Sequence, residues 1–362
     1  MLSENLKKKI KQATNLISQA VENRDLIILR HHADCDGYCA ALVIEDVILP
    51  KIQNQNIKVW QKYKRLPMKS PYYNYMDALK DIELCRNSIA AGKSPLLIMV
   101  DNGSGTADVI ALKRLKQYDI RVIVIDHHIF SEEAVSIPDI SINSREDGGS
   151  GNITAGILAY EVASLIGDAD ALYAAVAAVG DKSPEEIVQK YSSRQMDELK
   201  DIALCVDFEA SHLGFMESDT IKDLFNEKQS ENIQLIAPYV KGMIEEFSVI
   251  AKKHVKKEGD GIYIIDLDEV LIPGGFPTAG KATGITHRAQ SGPRATLGIV
   301  SFFVCFRIEG LDFKLKEIFS RLKKEGLSVS GGGHDVAGTI KFIPADKEKV
   351  LKVIKTYVSS LF

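Results

Sequence analysis

The sequence lacks the features that mark a membrane or secreted protein. Its 362 residues contain no uninterrupted apolar run of about 18 residues, which a membrane-spanning helix requires. The first 25 residues lack the apolar core of a signal peptide and carry apolar residues at helical spacing. They predict an amphipathic helix with Leu6, Ile10, Leu16 and Ile17 near one face. We therefore expect a cytoplasmic protein with no membrane partner.

Cysteine is also scarce. The five cysteines are odd in number, widely scattered, and include no CxxC pair. This usage argues against a disulfide framework and against a zinc ribbon, and it indicates reduced thiols. Cys35 lies inside a polar stretch, but we expect it to be a small buried filler.

What remains is an ordinary globular composition with an uneven charge distribution. Apolar content of 45% and charged content of 26% suit a soluble chain with two domains. The net charge is −4, yet the chain from residue 250 onward carries about +6, so the remainder carries about −10. An acidic part suits divalent cations and a basic part suits a polyanionic substrate. Solvated surface explains both charges equally well.

Short apolar runs alternate with helical segments along the N-terminal half. The runs DLIILR, PLLIMVD and IRVIVID are typical of central strands in a parallel sheet, and helices separate them. This alternation predicts a doubly wound α/β fold. Residues 191–255 read as a charged helical connector, and the chain then turns to mixed strands and helices. We therefore predict a catalytic domain at 1–190, the connector at 191–255, and a smaller α/β domain at 256–362.

Polar clusters close all three strands. They are His31–Asp36, Asp101–Gly105 and Asp126–His128, and ligands collect at the carboxyl ends of parallel strands. Asp181 follows an Ala-rich helix; it can cap the next helix, although beside the other clusters we favour a ligand role. Six side chains then form a carboxylate–imidazole set: His32, Asp34, Asp36, Asp101, His127 and Asp181. That set suits two Mn²⁺ ions, with Mg²⁺ or Co²⁺ as alternatives, and suits zinc less well.

Five motifs in order resemble the DHH phosphoesterase superfamily. They read HADCDG, DNGSG, DHH, GD and GGGH, and the first four span residues 25 to about 185. Members of this superfamily include RecJ-type exonucleases, nanoRNases, cyclic-dinucleotide phosphodiesterases and family II pyrophosphatases. The resemblance implies that His32 and Asp34 bind one metal, that Asp36, His127 and Asp181 bind the other, and that Asp101 bridges both. It also implies that His128 acts on the scissile phosphate and that Asp126 orients an imidazole.

The fifth motif belongs to the superfamily's C-terminal substrate domain. The resemblance implies that Gly331, Gly332, Gly333 and His334 hold the substrate, although a tight turn is the plain alternative. Arg307 is the best match for the arginine that joins this motif. Arg288, Arg294 and Lys281 are weaker candidates.

Several polar and aromatic residues have two interpretations. Asn143 and Asp147 can reach the strand ends or form a turn, and Ser104 can contact phosphate or shape the glycine turn. The stretch from residue 63 to 77 is aromatic and basic. Its side chains Tyr63, Arg65, Tyr72, Tyr73 and Tyr75 can stack on bases or pack at a core edge.

The short HxDxDG spacing favours the RecJ-like side of the superfamily. The chain ends soon after the GGGH domain, so we expect a compact form similar to archaeal RecJ-like proteins, without an added OB-fold. The expected function is Mn-dependent exonuclease-like hydrolysis of single-stranded DNA or RNA, or of short oligonucleotides, with 5′–3′ polarity implied by resemblance alone. The alternatives are a small-nucleotide phosphatase or phosphodiesterase and a non-catalytic replication or repair scaffold. Replication or repair proteins are possible partners, and the sequence leaves the oligomeric state open.

Overall fold

The structure is a computed structural model that divides into two compact units, Met1–Ala237 and Pro238–Phe362. It describes residues 2–56, 58–68, 70, 72–213, 220–272 and 274–362, with the side chain of His334 excepted. The predicted connector, 191–255, contributes residues to both units, and the predicted three-part division stays a prediction. Within these residues, no helix has the length and apolar character needed to cross a bilayer.

The first unit alternates strands and helices from its N-terminus. The elements are α1 (Glu4–Glu22), β1 (Ile27–His32), α2 (Cys35–Gln53), β2 (Tyr63–Met68), α3 (Tyr75–Ala90), β3 (Leu96–Val100), α4 (Val109–Lys116), β4 (Arg121–Asp126), α5 (Glu132–Val135), β5 (Ile140–Asn143), α6 (Ala155–Ala163), α7 (Ala171–Gly180), α8 (Glu185–Val188) and α9 (Met196–Leu213).

The strands in the described part of this unit form one parallel sheet in the order β2-β1-β3-β4-β5. Alternate residues of each central strand enter different cores. In β1, Ile27 and Leu29 join the core that contains α2, α6, α7 and α9, whereas Ile28 joins the core that contains α3 and α4. Helices therefore cover both faces, which confirms the predicted doubly wound fold.

The strand order creates a topological switch point between β1 and β3, because the chain leaves β1 in one direction and β3 in the other. In such sheets ligands bind outside the carboxyl ends of the strands at this point. His32 ends β1, and Asp101 follows the last residue of β3. The topology thus brings the first two polar motifs to one crevice.

The second unit contains a mixed sheet. Its elements are the C-terminal part of α10 (Gln229–His254), β6 (Lys256–Lys257), β7 (Ile262–Asp266), α11 (Leu267–Val270), α12 (Ala279–Arg288), β8 (Arg294–Val300), β9 (Phe303–Glu309), α13 (Leu315–Lys324), β10 (Val329–His334), β11 (Ala337–Phe342) and α14 (Lys347–Ser359). The sheet order is β10-β11-β9-β8-β7-β6, and β7 and β8 are parallel while the other pairs are antiparallel. One core lies under α13 and α14, and a smaller one includes residues of α10 and α12.

Candidate metal centre

The first polar motif links the end of β1 to the start of α2. Asp34 is the N-cap of α2, and its Oδ1 accepts a hydrogen bond from the Gly37 N–H at 3.0 Å. Its Oδ2 lies 2.7 Å from His32 Nδ1. A Cβ atom at position 37 would lie 2.2 Å from the carbonyl oxygen of His32, so only glycine allows the helix to start this close to the strand. The cap therefore fixes the imidazole and the carboxylate as a pair.

Asp101 stands between two imidazoles. It is buried, and its backbone has φ of 61°, a conformation that Asp and Asn tolerate better than most residues. Its Oδ2 lies 3.3 Å from His32 Nδ1, and its Oδ1 lies 3.3 Å from His127 Nε2. Oδ1 accepts no hydrogen bond from any described residue. A buried carboxylate oxygen in that condition is well suited to a cation.

His127 faces three carboxylates. Its Nε2 lies 3.0 Å from Asp181 Oδ2, 3.3 Å from Asp101 Oδ1 and 3.5 Å from Asp36 Oδ2. Its Nδ1 lies 3.0 Å from the carbonyl oxygen of Gly151, and donation to that oxygen turns Nε2 toward the carboxylates. Asp181 is the C-cap of α7 and not the N-cap of α8, whose cap position is Pro184. The end of an Ala-rich helix thus delivers the fourth carboxylate.

Asp36 is anchored by the N-terminus of α6. Its two carboxylate oxygens accept hydrogen bonds from the N–H groups of Ala155 at 2.9 Å and Gly156 at 2.7 Å. Burial, and then the nearby charges of Asp101 and Asp181, raise the pKa of Asp36 well above its usual value. A cation beside these carboxylates would relieve that repulsion.

His32 and His127 have raised pKa values, although burial alone would lower them. Burial opposes the charge of His32, but Asp34 and Asp101 outweigh it and raise its pKa well above the usual value. Burial likewise opposes the charge of His127, and Asp181, Asp101 and Asp36 outweigh it and raise its pKa. In the absence of metal, protons on these imidazoles therefore balance part of the carboxylate charge.

His128 lies beside this cluster, and its ring is positioned by Asp126. Its Nδ1 is 2.8 Å from Asp126 Oδ1 and 3.6 Å from Asp101 Oδ1. Asp126 also accepts hydrogen bonds from the N–H groups of His127 and His128 and from the hydroxyl of Ser104. Asn143 donates to the carbonyl oxygen of His128 at 3.1 Å. Asp126 therefore orients an imidazole as expected, while Ser104 and Asn143 shape the turn from buried positions.

Among the described residues of the first unit, three overlapping groups have ligand atoms within 4.8 Å of one another. They are His32, Asp34 and Asp101; Asp36, His127 and Asp181; and Asp101, His127 and His128. The first two bring together the residues predicted for the two metals. Asp101, the predicted bridge, groups with His32 and Asp34 and also with His127 and His128, but not with Asp36 and Asp181. Four carboxylates and two imidazoles from four distant segments fit a pair of hard or borderline divalent cations.

Three other polar residues are close to the motifs in sequence but do not join the candidate metal centre. His31 is buried against Tyr38, with ring centroids 4.5 Å apart, and burial followed by the charge of Arg65 lowers its pKa to about 3. Cys35 is buried, as expected for a filler. Asp147 is exposed, and its carboxylate accepts hydrogen bonds from two side chains of the α1 region. His31, Cys35 and Asp147 are absent from the three ligand groups.

Most of the aromatic and basic stretch packs at a core edge. Tyr63 and Arg65 are buried and both bond Glu45, at 2.6 and 2.8 Å. Tyr73 is buried, and its hydroxyl donates to Asp81. Tyr75 is exposed, and Tyr72 is half-buried.

Asp207 of α9 supports the loop that carries two candidate ligands, and no sequence motif predicted this role. Its Oδ1 accepts a hydrogen bond from the N–H of Cys35 at 2.9 Å, between the candidate ligands Asp34 and Asp36. The interaction spans 172 residues, so no local pattern could reveal it. Arg145 is a second such residue, since its Nε donates to the carbonyl oxygen of His127 at 2.8 Å.

The glycine motif of the second unit lies in a strand. Gly331 and Gly333 have φ of 142° and 126°, and a Cβ atom at either would meet the backbone of β11 within 2.0 and 2.5 Å. The three glycines and His334 form the end of β10, paired with β11. The backbone of His334 pairs with Ala337, which pairs with Arg307 on β9. The side chain of His334 lies outside the described part of the structure.

Two arginines of this unit, Arg288 on α12 and Arg307 on β9, lie beside Gly284 of α12. The Arg307 guanidinium donates to the carbonyl oxygens of Phe306 at 2.8 Å and Gly280 at 2.9 Å. A Cβ atom on Gly284 would lie 3.4 Å from Arg288 Nη1 and 3.8 Å from Arg307 Nε. Burial lowers the pKa of both arginines, and neither has a carboxylate within ion-pair distance in the described residues. Two uncompensated guanidiniums side by side are suited to an anion.

The other two basic candidates have partners nearby. Arg294 forms an ion pair with Glu309 at 2.7 Å and donates to two backbone carbonyls. Lys281 lies 6.0 Å from the ring centroid of Phe276. Arg288, ranked below Arg307 on sequence, therefore resembles Arg307 more than these two do.

Known proteins resemble the chain in sequence and in fold. The model of the DHH family, N-terminal domain, matches residues 25–180. An uncharacterized protein of Methanocaldococcus jannaschii is 32% identical over 405 aligned residues, which cover 96% of this chain and 53% of that protein. The chain thus spans about half the length of this curated relative.

Solved structures extend the resemblance to both units. The DHH domain of a member of a family of ribosomal proteins is 32% identical, with a TM-score of 0.90, and the match covers 99% of this chain and 92% of that one. RecJ from Thermus thermophilus, in complex with Mn²⁺, shares the fold at 16% identity and a TM-score of 0.67, over 98% of this chain and 55% of that one. The resemblance drawn from the motifs is therefore confirmed. Because sequence identity and fold agree over almost the whole length of the solved DHH domain, this chain belongs to the DHH family.

Proposed function

We propose that the chain is a two-metal phosphodiesterase that hydrolyses single-stranded nucleic acid or short oligonucleotides from one end. The observation that carries this proposal is the convergence of His32, Asp34, Asp36, Asp101, His127 and Asp181 at the switch point of the sheet. The cluster holds an excess of acid, because four carboxylates share the imidazoles of His32 and His127, and Asp101 keeps a buried Oδ1 without a hydrogen bond among the described residues.

The ligand atoms divide naturally between two divalent cations. His32 and Asp34 would hold one, Asp36, His127 and Asp181 would hold the other, and Asp101 would contribute to both. Four formal negative charges match two divalent ions, and the mixture of imidazole and carboxylate ligands favours Mn²⁺ over zinc, with Mg²⁺ or Co²⁺ as alternatives. Such a pair, when bound, supplies charge neutralisation at the phosphoryl group and a more acidic water.

The protein's own groups would position the phosphate. His128 lies at the edge of the cluster, and the hydrogen bond that its Nδ1 donates to Asp126 Oδ1 at 2.8 Å fixes the orientation of its ring. From there His128 would donate a hydrogen bond or a proton to the phosphoryl group. Ser104 and Asn143 would keep this turn rigid, because their side chains bond Asp126 and the backbone of His128.

The second unit would bind the distant part of the substrate. Arg307 and Arg288 offer two guanidiniums without carboxylate partners in the described residues, and a terminal phosphate is the kind of group that such a pair binds. Gly331 and Gly333 pack closely on β11, whereas a Cβ atom on Gly332 would meet nothing within 4 Å, so the backbone there is open to a ligand, and His334 ends the same strand. The fold shared with RecJ supports an exonuclease, and 5′–3′ polarity remains part of the proposal.

The test uses ladders of RNA and DNA labelled at the 5′ or the 3′ end and graded in length, with Mn²⁺, Mg²⁺ or Co²⁺ supplied in turn. We expect metal-dependent stepwise shortening of single strands from one end and no action on blunt duplex. Activity confined to substrates of about five nucleotides or fewer would favour a small-nucleotide phosphodiesterase. A protein with no divalent affinity and no turnover would be a scaffold, and the proposal would be wrong.

A further inference from the structure

A basic groove lies on the second unit between α13 and α14. Its cavity has a volume of about 470 Å³, and its cationic lining comes from Arg321 and Lys324 on α13 and from Lys349 and Lys352 on α14. Glu325 is the one carboxylate among the described lining residues. Resting on the proposed function for the choice of ligand, we propose that this groove binds the phosphodiester backbone of a nucleic acid strand.

The lysines are available for such a ligand. Lys324, Lys349 and Lys352 are exposed, and among the described residues none of them has a carboxylate within ion-pair distance. Arg321 is already engaged, since it bonds Glu317 at 2.6 Å and its guanidinium carbon lies 4.7 Å from the centroid of the Tyr357 ring. The groove therefore offers three ammonium groups on flexible stems, which contact phosphates as point charges and do not read sequence.

The spacing along α14 suits a strand and not a single small anion. Lys349, Lys352, Val353 and Thr356 recur at intervals of three and four residues, so they lie on one face of the helix. From Lys349 to Thr356 the helix rises about 10 Å, and stacked nucleotides advance about 3.4 Å each along one strand, so the face spans about three nucleotides. Leu327 and Val353 supply an apolar floor for sugars.

The unit as a whole supports a polyanion. It contains 19 lysines and arginines against 14 aspartates and glutamates, whereas the complete chain has a net charge of −4. A positive unit attracts a polyanion over a distance of about one Debye length, and the groove concentrates that charge in a concave surface.

The test measures strand binding in EDTA, so that hydrolysis plays no part. The variant Lys349→Gln/Lys352→Gln should bind single strands of about 20 nucleotides at least tenfold more weakly at about 0.05 M salt, and its slope of log K against log salt should fall by about 1.4. The matched control is Lys316→Gln/Lys323→Gln, which removes the same charge from faces of α13 that do not line the groove. The control should leave the slope within about 0.3 of the wild-type value.

Further measurements identify the ligand and show whether the groove proposal or the proposed function is at fault. Single-stranded DNA and RNA should respond alike, and Mn-dependent hydrolysis of a dinucleotide should stay unchanged in the groove variant. Equal effects of the two double variants, or no strand binding by the wild-type protein, would overturn the groove. So would loss of polyglutamate binding without loss of strand binding, since that result points to an acidic protein. A wild-type protein that binds strands through the groove but cleaves nothing with any divalent metal would contradict the proposed function alone.

Discussion

The sharpest perturbation of the candidate centre is Asp101→Asn. The change keeps the size of the side chain and removes its charge. Asn tolerates the φ of 61° at this position, whereas Ala would add strain of about 1–2 kcal/mol that has nothing to do with metal. The variant therefore isolates the contribution of one carboxylate.

The expected magnitude follows from electrostatics. Unit charges about 4 Å apart interact by about 4 kcal/mol at an effective dielectric constant of about 20, and about 1.4 kcal/mol is a factor of ten. Losing the charge that lies between His32 and His127 should thus weaken Mn²⁺ binding by about two to three orders of magnitude. Turnover on any phosphodiester substrate should fall at least as far.

Thermal unfolding gives a readout that does not depend on knowing the substrate. Mn²⁺ at about 100 times its dissociation constant should stabilise the wild-type protein by about 2.7 kcal/mol, which raises Tm by about 5–10 °C. At the same concentration Asp101→Asn should gain less than about 0.5 kcal/mol, close to 1 °C.

Asp147→Asn is the matched control. This residue is also an aspartate with positive φ, 55°, in the same unit, but it is exposed and bonds only Ser3 and Asn5 among the described contacts. It should keep the full shift in Tm with Mn²⁺. If Asp101→Asn kept that shift as well, the assignment of Asp101 to a metal pair would be refuted.

Three further predictions concern the groups around the ligands and the substrate. Asp207→Ala should weaken Mn²⁺ binding by about 10–100-fold, because it removes the acceptor for the Cys35 N–H, and Asp207→Asn should restore most of that affinity; equal losses in the two variants would refute the positioning role. Mn²⁺ affinity should rise with pH and level off above the raised pKa values of His32 and His127, because their protons must leave before metal binds. Calorimetry in buffers of different ionisation enthalpy should show proton release on Mn²⁺ binding. Absence of proton release would contradict the ligand set. Arg288→Ala and Arg307→Ala should each raise KM by about tenfold or more with little change in kcat, whereas Arg294→Ala, which loses an ion pair with Glu309, should leave KM unchanged in protein that remains folded.

The sequence was sufficient to predict the central strands and the groups at their ends. The strands β1, β3 and β4 are buried on both faces, so they read as continuous apolar runs and stop where the polar motifs begin. The strands at the two edges were missed. β2 contains two cations and a proline, and β5 has only four residues. Edge strands carry weaker apolar patterns because one side of each is not enclosed by the sheet.

Roles that depend on long-range contacts could not be predicted. Asn143 and Asp147 are both residue types that favour turns, and both lie between the DHH and GD motifs. Asn143 is buried behind His128, whereas Asp147 is exposed near α1. Similarly, Arg288 and Arg294 are six positions apart, and only the position of Glu309 makes one of them an ion pair. Nothing in local composition separates these cases, because the deciding partner comes from a distant strand or helix.

The electrostatics of the cluster argue that it exists for a cation and not for stability. Holding four carboxylates within reach of one another, with Asp36 and Asp101 buried, is costly, and the raised pKa of Asp36 reflects that cost. A fold under selection for stability alone would replace such a group with apolar residues of similar volume. Instead the backbone of α6 fixes Asp36, Gly151 turns His127 toward the acids, and Asp207 ties down the loop between two ligands. Three separate segments thus hold neighbouring carboxylates in place, an arrangement that added positive charge at the centre would stabilise.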